Sequence, residues 1–256
     1  MNEVLLMVLS PVILVHAFFI VAVRQKNLSV IDTAWGLGFI LISLTGCVLS
    51  KWMSPQENLI FLLVLLWGLR LAGFIHSRNH GKGEDFRYAN WRKDWGEKTN
   101  LIAYFKVYWL QLFLMFIVGL PIFIGHVSAP QPLMPYHYVG ALIWLVGFLW
   151  ESVADHQKSQ FKARPGNEDK IYQEGLWSLS RHPNYFGEAL LWWGLGLVSI
   201  STHQYWGLAG SAFITLLLCK VSGIPLVEKR HEHNPEYQAY ASHTPVFLPS
   251  LSKILK

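Results

Sequence analysis

The run Arg181-His182-Pro183-Asn184-Tyr185-Phe186-Gly187-Glu188 combines the residue types and spacings best able to do chemistry in this chain. It reads as the start of a helix. Ser180 can cap it, and Pro183 suits a first turn, where its missing N–H costs nothing. The free backbone N–H groups and the positive helix end lie beside Arg181 and His182, which favours an anionic group such as a phosphate. Gly187 admits another backbone or a flat ring at close range. Asn184 and Glu188 stand at i, i+4, and Glu188 can accept hydrogen bonds from an amide or ammonium group. A snorkelling arginine and an ordinary helix start use the same residues, so physics alone leaves both readings open.

Other polar residues stand in costly places. A charge within a membrane span costs at least about 2.5 kcal/mol on insertion scales, so each needs a partner or a purpose. Asp32 lies near the start of an apolar stretch and is followed by Trp35, Gly36 and Gly38. Arg70 lies within another, and Lys106 and Gln111 within a third. Glu151, Asp155 and Lys158 fall at i, i+4 and i+7, one face of a helix. Interhelical hydrogen bonding, Asp32 with Arg70 for example, is the plain alternative to a site.

These residues must be positioned by long apolar segments. Crossing the hydrocarbon core takes about 20 mainly apolar residues, and about seven segments qualify or nearly do. They are 4–23, 30–50, 59–75, 104–124, 138–153, 185–201 and 205–223. The fifth is the shortest and can continue as a polar helix into water. The expected fold is therefore an all-α polytopic membrane protein forming one domain over 1–256. An apolar substrate half is expected at about 1–125 and a cofactor half at about 138–256.

Lys and Arg gather in 24–26, 78–98, 158–181 and the tail after Gly223, all on one side of such a topology, with Lys106 and Lys220 at the inner ends of their spans on that same side; Lys51 and Arg70 are the exceptions. The opposite loops, around Ser54, Pro130 and His203, are short and nearly uncharged. The positive-inside rule then puts the N-terminus outside and the C-terminus in the cytoplasm. The first apolar stretch lacks a basic start and a small-residue cleavage site and reads as a retained span. The absence of a targeting segment suits a bacterial inner membrane.

Composition agrees. The chain is 52% hydrophobic and only 14% charged, against about 25% charged in soluble domains. The net charge of +5 sits in loops between spans, so it reads as a topology signal and nucleic acid is excluded as a partner. Cys47 and Cys219 lie in apolar segments without metal-ligand spacing, and no metal site is expected. The sequence leaves the oligomeric state open.

Several runs together resemble the steroid 5α-reductase-like membrane family. They are WGLGF (35–39), LWGLRLAGF (66–74), GEDFRY (83–88), ESVADHQKSQFK (151–162), GLWSLSRHPNYFGE (175–188) and SGIPLVEKR (222–230). The resemblance implies a seven-helix fold that takes NADPH from the cytoplasm and reduces a C=C bond conjugated to a ketone in a lipid-like substrate. It implies that Asn184 and Glu188 sit by the nicotinamide, and that Asp155, Lys170, Arg181 and His182 hold ribose and phosphate. It further implies that Arg78, Arg87 and Tyr88 close over the cofactor from one side and Glu228 and Arg230 from the other. Lys and Arg in the inner loops suit a multiply charged dinucleotide.

The chain departs from the animal steroid reductases, which carry a Gln-Glu pair in an early span and a Tyr in the next. Here Asp32 and Trp35 occupy the comparable region and Leu71 or a neighbour stands in place of the Tyr. The candidates to polarise a substrate carbonyl are a protonated Asp32 or Arg70. The Gly-rich fingerprint of soluble dehydrogenases is missing, which excludes a Rossmann site. RHPNYFGE is also similar to a run in isoprenylcysteine carboxyl methyltransferases, as is the tail pattern of Tyr237, Tyr240 and Pro249. Those enzymes use S-adenosylmethionine and usually carry a Glu-Glu pair where this chain has Glu228-Lys229. A transporter is the third reading, but neither repeats nor interrupted spans support it.

Overall fold

The computed structural model describes residues 3–254 apart from Met53, Lys82, Thr202 and His203, so the His203 loop lies outside the described residues. Among those described, the chain is helical, with one isolated bridge between Ser201 and Gln204. The long helices are α1 (Glu3–Gln25), α2 (Leu28–Leu49), α3 (Pro55–Asn79), α4 (Phe86–Val118), α6 (Pro135–Lys162) and α8 (Gly207–Arg230). These six are long and apolar enough to cross a membrane. Between them lie α5 (Leu120–Val127) and α7 (Pro183–Val198), and α9 (Pro235–His243) and α10 (Leu251–Ile254) follow. The sixth expected span corresponds to α7, which has 16 residues. Large apolar side chains point outward on these helices: Ile13 is 70% exposed, Leu101 63% and Leu142 61%. Apolar exposure on that scale suits a lipid surround rather than water.

Two element bounds differ from the sequence expectation. The stretch expected as a basic loop over 78–98 is largely helical, because α4 begins at Phe86 and runs for 33 residues. Asp85 starts it by accepting from the Arg87 N–H at 3.0 Å, an ordinary N-cap. The fifth span runs on to Lys162, so Glu151, Asp155 and Lys158 do share one helix. Two single π-helical turns interrupt the ladders, Tyr104–Trp109 in α4 and Leu217–Val221 in α8. Each contains the lysine expected at the inner end of its span, Lys106 and Lys220.

The chain forms two compact units. The first comprises Met1–His137 and Val198–Gly210. Its central helix is α2, packed on α1 and α3. In lipid, helices gain little from burying apolar surface against each other, so close backbone approach matters more. WGLGF and LWGLRLAGF supply it. A Cβ on Gly36 would lie 2.3 Å from the Gly68 carbonyl oxygen, and one on Gly68 would lie 2.6 Å from that of Gly36. At the N-terminal end of α3 a sealed polar pin holds three helices. Ser43 Oγ lies 2.8 Å from His126 Nε2, and His126 Nδ1 lies 3.9 Å from Glu57 Oε2. Gly46 leaves the space that the imidazole fills.

The second unit comprises Tyr138–Leu197 and Ser211–Lys256. Its α6 and α7 touch through glycines. A Cβ on Gly187 would fall 2.5 Å from the Glu151 nitrogen and 2.8 Å from the Gly147 carbonyl. One on Gly194 would fall 2.6 Å from the Gly140 carbonyl. The close neighbour of Gly187 is thus a backbone and not a ring. Ser211 Oγ donates to the Trp192 carbonyl at 2.6 Å and ties α8 to α7. The tail returns along the segment before α7: Arg181 N–H donates to Pro245 O at 2.8 Å, and Ser250 N–H to Leu179 O at 2.9 Å.

Candidate functional site

In the second unit, the residues just before α7 meet the end of α8. Arg181 Nη1 donates to Glu228 Oε2 at 2.7 Å. His182 Nε2 lies 2.8 Å from Glu228 Oε1, and the Tyr237 hydroxyl donates to the same oxygen at 2.5 Å. Local sequence explains the assembly. Ser180 Oγ accepts from the His182 N–H at 3.2 Å and donates to the Phe247 carbonyl at 2.8 Å, fixing the turn that precedes Pro183. Asn234 caps α9 by accepting from the Glu236 and Tyr237 N–H groups, which aims Tyr237 at Glu228.

Burial drives the His182 pKa down to about 4, against the opposing pull of the Glu228 hydrogen bond and charge. The imidazole is therefore neutral near pH 7. An ionised carboxylate only accepts, so the His182 proton sits on Nε2. Burial raises the Tyr237 hydroxyl and the Glu228 contact adds to it, so Tyr237 stays protonated and donates. His231 lies in a stack with Tyr237, and its pKa is lowered by burial and then by the Arg230, Lys158 and Lys162 charges.

An open cleft of about 380 Å³ borders this group, lined by Arg181, Glu228, Lys229, Glu232, Tyr237 and Gln238. Two buried polar atoms here lack a hydrogen-bond partner among the described residues, Arg181 Nε and Thr244 Oγ1. Thr244 adjoins Pro245, which holds the Arg181 backbone. An unspent guanidinium N–H with Lys229 and the Tyr237 hydroxyl on the same cleft, alongside the Glu228 and Glu232 carboxylates, can meet the anionic or ribose part of a nucleotide.

The other expected site residues of this unit are distributed around that cluster or away from it. Arg230 follows Glu228 by two positions on α8. Asn184 and Glu188 are half-buried on the first two turns of α7. Asp155 is buried on α6, and Lys158 Nζ sits 4.1 Å from the Trp177 ring centroid. Lys170 is exposed in the loop after α6, where its carbonyl accepts from Lys162 Nζ at 2.7 Å.

The first unit holds a separate cluster, made largely by GEDFRY. Arg87 Nη2 donates to Asp32 Oδ2 at 3.0 Å, and Tyr88 donates to Asp32 Oδ1 at 2.7 Å. Arg87 Nε also bonds Asp85 at 2.9 Å. Glu84 accepts from Leu28 N–H at 2.6 Å and from both guanidinium arms of Arg92 at 2.8 and 2.9 Å. Burial alone would raise Glu84; the Arg92 and Leu28 hydrogen bonds outweigh it and hold the carboxyl below its usual range. Burial likewise works against the Asp85 carboxylate, and bonds from Arg87 and then the Arg87 and Arg78 charges overcome it. Arg78 lies 5.9 Å over the Phe74 ring, and Arg70 stands two turns earlier on α3. Asp32 thus accepts from two donors at once, and both donors come from residues expected to cover a cofactor. The sequence reading missed Glu84 and Arg92 as partners, and it missed the role of Tyr237; for the first pair the signal available was GEDFRYANWR, with Glu84, Asp85, Arg87 and Arg92 crowded around a helix start.

A comparison with known proteins gives the same family by an independent route. The family described as "Protein of unknown function (DUF1295)" matches residues 18–244. Human 3-oxo-5-alpha-steroid 4-dehydrogenase 1 is 29% identical over 119 residues, 46% of this chain and 42% of that protein. The mouse protein of the same name is 28% identical over 121 residues, 46% of this chain and 43% of that protein. "Probable O-methyltransferase ustE" of Ustilaginoidea virens is 38% identical over 79 residues, 31% of this chain and 27% of that protein. The chain therefore spans less than half the length of the curated relatives it matches. No solved structure matches. With its helices, its motifs and a family match over most of its length, the chain belongs to the DUF1295 family, a steroid 5α-reductase-like group of integral membrane proteins.

Proposed function

We propose that this protein is an NADPH-dependent membrane reductase of a C=C bond conjugated to a carbonyl in a lipid-like substrate. The observation that carries the reading is the cluster under RHPNYFGE. There a half-buried arginine lines an open cleft and keeps an unspent Nε–H, within a chain that resembles the 3-oxo-5-alpha-steroid 4-dehydrogenases. Bound NADPH would supply a hydride to the substrate β-carbon and leave as NADP⁺, while water supplies a proton to the α-carbon, giving the saturated ketone.

The residues of the second unit do the holding. Arg181 and Lys229 pair with phosphate oxygens, and Thr244 Oγ1 takes a ribose or phosphate contact. Neutral His182 and Tyr237 fix the Glu228 carboxylate, so Arg181 stays in one orientation. Asn184 and Glu188 supply amide and carboxylate contacts to the nicotinamide carboxamide. The apolar first unit takes the substrate from lipid, and the expected orientation keeps the basic loops and C-terminus in the cytoplasm, where the dinucleotide is.

The match to a probable O-methyltransferase favours one competing reading, a methyltransferase that uses S-adenosylmethionine. A direct test is titration of the purified protein in detergent with NADPH and with S-adenosylmethionine, following thermal stability and nicotinamide fluorescence. NADPH should raise the melting temperature and gain fluorescence on binding. A shift with S-adenosylmethionine and none with NADPH overturns the proposal.

A further inference from the structure

The first unit contains a carboxamide whose donor side is unspent. Trp35 Nε1 donates to Gln111 Oε1 at 2.6 Å. An indole N–H can only donate, so it must meet the amide oxygen, and the Gln111 Nε2 is thereby turned away from Trp35. No described residue accepts from that nitrogen, and Gln111 is only half-buried, so the NH₂ group stays reachable. Gln111 lies within the apolar α4, where water is scarce and an unsatisfied donor costs free energy.

The surroundings are apolar and aromatic. The Trp35 ring lies 5.6 Å from Phe39, and Phe39 lies 5.7 Å from Trp67. One turn along α4, Met115 sulfur fills the space over Gly38, where a Cβ would come within 2.4 Å. A flat apolar molecule with one acceptor oxygen matches this combination of ring faces and a single aimed donor pair. Asp32, one turn before Trp35, already accepts from Arg87 and Tyr88.

We infer that Gln111 Nε2 is the hydrogen-bond donor to the carbonyl oxygen of the lipid-soluble substrate, with Trp35 as the positioning residue that fixes the amide. The inference rests on the reductase reading for the meaning of that carbonyl. Hydride arrival at the β-carbon pushes the π electrons onto the carbonyl oxygen as an enolate, and a donor held on that oxygen stabilises it more than the ground-state ketone. The enolate then collapses as the α-carbon takes its proton, and Gln111 ends unchanged.

The test compares ketones with their hydrocarbon counterparts and does not require turnover. Cholest-4-en-3-one, β-ionone and a long-chain alkyl vinyl ketone are each paired with the deoxo analogue, and binding to the detergent-solubilised full chain is measured. The wild type should prefer at least one ketone over its hydrocarbon. Gln111→Leu should erase that preference, a loss of roughly fivefold to tenfold for one hydrogen bond. NADPH affinity should be unchanged in the same variant. Trp35→Phe keeps Gln111 but frees the amide to rotate, so it should lose part of the preference. Isotope-edited infrared spectra of a ¹³C=O ketone should show a lowered stretch in the wild type that returns toward the solvent value in Gln111→Leu. Retained ketone preference and an unmoved carbonyl stretch in Gln111→Leu overturn the inference and leave the reductase reading intact. A wild type that prefers none of the three ketones also overturns it. If NADPH fails to bind but the ketone preference depends on Gln111, the carbonyl site stands and the reductase reading falls.

Discussion

The Tyr88 hydroxyl donates to Asp32 at 2.7 Å and so fastens the first turn of α4 to the first turns of α2. Tyr88 is 2% exposed, which makes the contact an internal brace. Tyr88→Phe should lower stability by about 1 kcal/mol, read as a drop in thermal midpoint in detergent, with unaltered NADPH affinity. The opposite pattern, normal stability with weakened NADPH binding, would return Tyr88 to the covering role that the family resemblance implies.

The buried neutral His182 makes stability depend on pH in a defined window. The folded imidazole protonates near pH 4 and an unfolded one near 6.5. Between these values the unfolded chain binds the extra proton, so stability is full above about pH 6.5 and falls as the pH drops toward 4. The span of that loss is about 3 kcal/mol if the whole shift is expressed. Glu228 opposes the loss by favouring the cation, and Arg181 and Lys158 add to it. Replacing His182 by Gln keeps a donor for Glu228 and should flatten the slope of thermal midpoint against pH.

Gly187→Ala should separate α6 from α7. The new methyl would fall 2.5 Å from the Glu151 nitrogen, a backbone atom with no rotamer to yield. A cost of about 1–3 kcal/mol is expected. Gly73→Ala is the matched control, since a Cβ there meets nothing within 4 Å. Equal midpoints for the two variants would show that the helix seam tolerates a wider spacing.

Glu188→Gln and Asn184→Ala test the nicotinamide end of the proposed site. Both should weaken NADPH binding by roughly fivefold or more, the worth of one polar contact, while far-UV circular dichroism stays unchanged. Normal NADPH titrations in both variants would move the cofactor away from the head of α7.

Much of this architecture was legible in the residues. Long apolar runs gave the helices, and Ser180 and Pro183 marked the start of α7. Arg181 and His182 were singled out by type and Glu228 through the family resemblance, and the three side chains meet. What escaped was the extent of helix beyond the apolar stretches. Hydropathy stops at the membrane surface, whereas α4 begins in polar residues because Asp85 caps it and the Arg92–Glu84 fork secures it. The Asp32 environment escaped for a related reason. Its partners Arg87 and Tyr88 lie 55 and 56 residues away, and no local pattern specifies a pairing at that distance. The Ser43–His126–Glu57 pin was equally invisible, being three isolated polar residues on separate helices.

The glycine contacts of α6 and α7 carry a mechanical consequence. With no side-chain layer between them, these helices have little to shear against and will travel as one plank. The regular ladder of α8 is broken by the π turn at Leu217–Val221, which precedes Glu228 on the same helix.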